Sequence, residues 1–128
     1  MTYAPAANDV GPFVIGARRR YTRPAMRQPE SVDIDTLATV HKALGDSVRL
    51  RILQLLPRSL ERGHRLYNVN ELSDELGIPQ PTVSHHLKIL KHAGVIRSVK
   101  KQNSVFYYLD VKRLRQTWRD LHKGVLSR

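Results

Sequence analysis

The chain has 128 residues, 41% of them hydrophobic, with 22 Lys and Arg against 11 Asp and Glu and a formal net charge of +11. That is enough for one modest core, and the charge favours a polyanion partner, nucleic acid before acidic membrane. Cysteine is absent, which excludes disulfides, zinc ribbons, thiolate metal sensors and cysteine nucleophiles, and no apolar run approaches the roughly 18–20 residues of a membrane span.

Residues 1–31 contain Pro5, Pro12, Pro24 and Pro29 and no sustained periodicity, which predicts a largely disordered tail. Five arginines against Asp9 and Glu30 give it +3, so the remaining 97 residues carry +8 and are basic without it. The short apolar stretch 10–17 precedes Arg18, Arg19 and Arg20, the reverse of a secretory signal. A soluble, cytoplasmic protein with no membrane partner is expected, its folded domain spanning 32–128.

Ile34, Leu37, His41 and Leu44 recur with helical spacing, and Gly45 stops that first helix. Asp46 is a suitable N-cap for a second helix over 47–56. Its six aliphatic residues surround most of the circumference, so it is expected in the middle of the fold. Pro57 ends it, and 57–67 reads as a polar loop with Gly63 and three arginines. Asn68 and Glu71 have the spacing of a capping box and open a third helix with Val69, Leu72 and Leu76 inward. Gly77 is its C-terminal stop. A fourth helix follows, with Pro81 in its first turn, and runs to about His92. After Gly94, 95–100 and 105–109 read as strands, joined by the polar connection 101–104. Asp110 caps a last helix in which Val111, Leu114, Trp118, Leu121 and Val125 recur at steps of 3, 4, 3 and 4, a narrow seam of the kind that packs on another helix.

Two helices at 68–76 and 80–92, joined by a very short turn at Gly77, form a helix-turn-helix, whose second helix enters the DNA major groove. At about 100° per residue, Val83, Leu87 and Leu90 share one side of that second helix, with His86 beside them as a core-edge histidine. The opposite side carries no acid. Gln80, Thr82, Ser84 and His85 lie in the N-terminal half, where such helices reach base edges. Lys88 and Lys91 suit phosphates.

Four stretches carry a family resemblance: KALGDSVRLRILQLL at 42–56, NVNELSDELGI at 68–78, QPTVSHHLKILKHAGVI at 80–96 and RSVKKQNSVFYYL at 97–109. They resemble the ArsR/SmtB-type winged-helix transcriptional repressors over roughly 36–110, and QPTVSHHLKIL is the specific segment. The resemblance implies a mainly α (α+β) winged helix-turn-helix: five helices, with a two-stranded β-hairpin wing between helices 4 and 5. It implies a homodimer on inverted-repeat promoter DNA, released by an inducer that the sequence does not identify. Base contacts fall by position on Gln80, Thr82, Ser84 and His85, and the wing role on Lys100, Lys101 and Gln102. The first and last helices meet at the family's dimer interface, which places Leu37, His41, Leu114, Trp118, Leu121 and Val125 there.

The sequence departs from the family's metal sites. No cysteine stands in 69–72, and Asp110 is followed two residues on by Lys112 rather than His. His41 and His122 remain as candidate ligands, short of the three or four that zinc takes, so neither a metal nor another cofactor is expected. No phosphate loop, paired carboxylates or nucleophile with an evident base is present, which argues against an enzyme. The competing reading is a winged-helix module that binds another protein rather than DNA. The acid-free helix face speaks against it.

Overall fold

The computed structural model describes residues 32–61 and 63–126, and the expected tail at 1–31 lies outside them. Most helix starts are set by a short acceptor side chain that satisfies an otherwise unpaired backbone N–H. Asp33 accepts from the N–H groups of Asp35 and Thr36 at 3.1 and 3.3 Å and opens α1 (Ile34–Leu44). Asp46 accepts from Arg49 N–H at 3.0 Å and opens α2 (Ser47–Leu55). Asn68 and Glu71 cap each other's backbone N–H at 2.8 and 3.0 Å, the predicted capping box, and open α3 (Val69–Leu76). The helix α4 (Gln80–His92) has no side-chain cap and starts instead behind Pro79, with Pro81 in its first turn.

The stops are equally local. Leu56, ahead of Pro57, is extended with ψ 141°, as steric conflict with a following proline ring requires. Gly77 takes the left-handed conformation, φ +67°, and turns the chain from α3 into α4. Gly94 does the same after α4, φ +81°, and Val95 N–H returns to Leu90 C=O at 3.2 Å.

Two antiparallel strands follow, β1 (Ile96–Lys101) and β2 (Ser104–Leu109), in register from Ile96↔Leu109 to Lys101↔Ser104. Gln102 and Asn103 join them with φ +49° and +67°. Two successive left-handed residues make a type I′ turn, whose twist matches that of the strands. The strands therefore run one residue closer to the tip than expected. Lys101 and Ser104 pair with each other instead of looping out, and Val95 belongs to the core behind α4. A contact not foreseen flanks β2: Tyr107 N–H donates to Tyr67 C=O at 3.2 Å and Leu109 N–H to Pro57 C=O at 2.8 Å. The polar loop thus begins and ends against the sheet.

Asp110 accepts from Arg113 N–H at 2.9 Å and opens α5 (Val111–Leu121). The last turn, His122–Leu126, widens to π-helical. The core joins Val40, Ile52, Leu72, Val83, Leu87 and Leu90 with Val95 and Ile96. The second helix is more one-sided than its composition suggested, with Ile52 fully buried and Leu50 half exposed. The inner face of α5 runs through Leu114, half-buried, and Thr117, which is buried and donates its hydroxyl to Arg113 C=O. Trp118, one position on, is 72% exposed. Gly124 stands against Val32, so the end of the last helix lies beside the start of α1. Among the described residues no helix is long and apolar enough to cross a membrane.

Candidate nucleic-acid interface

The helix α4 is split cleanly by burial. Val83, Leu87 and Leu90 are buried in the core, while Gln80, Thr82, Ser84, His85, Lys88 and Lys91 are all exposed. The buried set repeats at steps of 4 and 3, so the polar set is turned outward as one surface. No acid stands on this helix. Lys100, Lys101 and Gln102 are exposed at the hairpin tip, where the type I′ turn puts them at the most distant point of the sheet. Every residue expected on the reading helix and the wing is therefore accessible.

Three features of this surface come from the tertiary structure. Gln80 donates its amide to Asn70 on α3, so its side chain is held across the turn of the helix-turn-helix. Asn103 shares the turn with Gln102 and is exposed beside it. Behind the surface, His86 is the least exposed polar side chain of the helix, at 14%, and its Nδ1 lies 3.2 Å from Arg49 Nη1 and 3.9 Å from Asp46 Oδ2. The Arg49 backbone N–H is the chief cause that holds the Asp46 carboxyl below its ordinary value; desolvation is the next largest and opposes it, and the Arg49 charge, a charge on His86 when that ring is protonated, and the Val48 backbone N–H lower it further. The partners Asn70 and Arg49 carried no pattern that marked them, because they are 10 and 37 residues from the side chains they meet.

The residues expected at a dimer seam divide between two environments. Leu37 is buried within the protomer, and His41, Leu114 and Leu121 are half-buried. Trp118 and Val125 are exposed at 72% and 44%, in company with Ile34 and Leu126. A cavity of about 370 Å³ is lined by Trp118, Leu109, Leu114, Arg58, Arg115 and Arg119, among others. His41 Nδ1 donates to Leu37 C=O at 3.0 Å, since a carbonyl can only accept. His122 is exposed. Among the described residues no three His, Cys, Asp or Glu side chains gather as a metal site would need.

Comparison with known proteins places this architecture. The profile of the bacterial regulatory protein arsR family matches residues 46–98. The HTH-type transcriptional repressor SmtB of Mycobacterium tuberculosis is 36% identical over 104 residues, which cover 80% of this chain and 73% of that protein. The chain belongs to the ArsR family of transcriptional regulators. Among solved structures, this ArsR-family protein resembles an ArsR-like transcriptional regulator from Rhodococcus sp. RHA1, with a TM-score of 0.61 and 28% identity over 70% of this chain and 79% of the other. It also resembles the homodimeric winged helix-turn-helix DNA-binding domain Mb0332 from Mycobacterium bovis, with a TM-score of 0.53 and 29% identity over 70% and 83%. The winged helix-turn-helix with five helices and a hairpin after the fourth is thus the fold of an ArsR-family regulator, and its relatives are transcriptional regulators rather than enzymes.

Proposed function

We propose that the chain is a homodimeric transcriptional repressor, working in the cytoplasm, that binds inverted-repeat promoter sites in double-stranded DNA. The observation that carries this is the two-sided α4: three buried aliphatic residues fix it in the core, and an outward surface of amide, hydroxyl, imidazole and ammonium groups has no acid. In the major groove, Gln80 offers a bidentate contact to adenine, and Thr82, Ser84 and His85 offer single contacts to base or phosphate. Lys88 and Lys91 neutralise phosphates, and Lys100, Lys101 and Gln102 extend the footprint from the hairpin tip. Residues 32–128 form the DNA-binding and dimerising unit, and the arginines of 1–31 add phosphate contacts.

Two copies are needed to read two half-sites about 34–36 Å apart. The exposed apolar side chains Ile34, Trp118, Val125 and Leu126 on the first and last helices support pairing there, as does the homodimeric state of the similar domain from M. bovis. His41 lies on the same pair of helices.

Fluorescence anisotropy on the chain's own upstream intergenic DNA tests the reading. Affinity is expected to fall steeply between about 50 and 200 mM salt, as counterion release demands. Lys88→Ala should weaken all sequences alike and flatten the salt slope by about one unit, while Gln80→Ala should cost about 1–3 kcal/mol on the preferred site alone. Binding that ignores both salt and sequence would overturn the proposal and favour a protein partner.

A further inference from the structure

One cation joins three helices behind the reading surface. The Arg49 guanidinium donates through Nε to Ala43 C=O at 2.5 Å and through Nη2 to Lys42 C=O at 3.3 Å, both in the last turn of α1. Its Nη1 reaches His86 Nδ1 on α4 at 3.2 Å. Its own backbone N–H closes the cap of α2 on Asp46. A guanidinium has donors only, so the His86 contact requires a lone pair on Nδ1, with the ring neutral and its proton on Nε2. His86 follows His85 directly and precedes Lys88 by two residues, so whatever sets its ring also sets the rotation of the surface those residues form.

We propose that Arg49 is a positioning residue for DNA reading: its guanidinium ties the C-terminal carbonyls of α1 to His86 on α4, and the tie holds only while His86 is uncharged. This rests on the DNA-binding reading above and adds to it a route by which α1, which bears part of the proposed dimer seam, sets the reading helix. When His86 takes up a proton, Nδ1–H faces a cation instead of accepting from it. The ring is then drawn to Asp46 Oδ2, 3.9 Å away, where it competes with the Arg49 N–H for the α2 cap.

The charged groups around the ring are Asp46 and Arg49 from α2 and, on its own helix, His85, whose ring centroid is 5.8 Å away. The last turn of α1 contributes to the arrangement through carbonyls bound to Arg49. Among the described residues no ion pair or hydrogen bond reaches His86 from α3 or β1. His85 and His92 are both exposed and are unchanged in every variant compared, so any effect of theirs on binding is common to all.

The test uses the full chain. Nitrogen-15 NMR of the histidine rings in the free protein is expected to show His86 as the Nε2–H tautomer near pH 8. An Nδ1–H tautomer there would sink the tie whatever the protein does with DNA. Operator affinity is then compared for wild type and His86→Asn, in which the amide oxygen keeps an acceptor near the Nδ1 position but cannot charge. As pH falls from about 8 to about 5.5, the span in which imidazoles ordinarily charge, wild type should lose about fivefold or more relative to His86→Asn, a comparison in which His85 and His92 cancel. Arg49→Lys, which lacks the planar fork, should bind operator about tenfold more weakly, the worth of one charge-assisted hydrogen bond. A pH-independent ratio, or an Arg49→Lys variant that binds like wild type, overturns the role. The expected tautomer without any operator binding would overturn the DNA reading and this role together, leaving a structural hydrogen bond only.

Discussion

Asp46 shows how much a single side chain does in this fold. It ends the link between the first two helices, caps the second, and stands in the field of Arg49 and His86. Its carboxyl is held below the ordinary 3.8, first by the hydrogen bond from Arg49 N–H. A carboxyl so lowered stabilises the fold above its unfolded value and ceases to as pH falls through the folded one. Tyr107 marks the other end of the scale: burial beside the loop raises its phenol above 10.0, so its contribution is complete below that value and is lost as pH rises past it. Thermal melts across pH should therefore show an acid limb beginning near pH 4, shallower in Asp46→Asn, and an alkaline limb beginning near pH 10, shallower in Tyr107→Phe. Asp46→Asn with the wild-type acid limb would remove Asp46 from this account. Caps of this kind were legible in the sequence because acceptor and donor lie two or three residues apart. The ties between Gln80 and Asn70 and between Arg49 and His86 were not, because only the packing of helices brings those pairs together.

At the scale of elements, the hairpin is where local chemistry and observed geometry agree least. A type I′ turn asks for φ > 0 at both central positions, which Asn-Gly supplies best, yet this turn uses Gln102 and Asn103. Gln has no local hydrogen bond to offset a left-handed backbone and strains it. Replacing the pair by Asn-Gly should stabilise the fold by about 1 kcal/mol, read from urea unfolding, with the sheet register unchanged. A loss of stability would mean that the Gln102 side chain holds the turn in some other way. The sequence pattern located both strands but set their ends one residue off. Polarity marks where a strand stops being core, whereas backbone pairing continues to the turn, here as far as Lys101↔Ser104. In the last helix, apolar spacing through Val125 suggested a seam that packs on another helix; within the protomer Thr117 occupies the buried face and Trp118 is exposed.

For the molecule as a whole, the exposed Trp118 is the most informative departure from a closed core. An indole 72% accessible on a helix otherwise rich in arginine is where a second copy would gain the most by pairing. Trp118→Ala should weaken dimerisation by about 2 kcal/mol or more, roughly 30-fold in sedimentation equilibrium. The same change should leave protomer stability within about 0.5 kcal/mol, as at other exposed positions. Unchanged association would move the seam away from this face. The net charge of +11 acts at this scale too, since it draws the whole protein towards a polyanion before any contact forms.

From the sequence alone came the helices, their caps and stops, the hairpin, the polar face of α4 and the family those features resemble. All of these depend on residues a few positions apart, where periodicity, proline, glycine and short acceptor side chains act directly on the backbone. The tertiary structure alone decided that the polar loop is pinned to β2 at Pro57 and Tyr67, that Thr117 rather than Trp118 faces the core, and that Arg49 spans α1 and α4. Those are contacts between residues distant in the chain. Which of several equally polar or equally apolar side chains makes them is set by how the helices pack, and packing is a property of all the elements together.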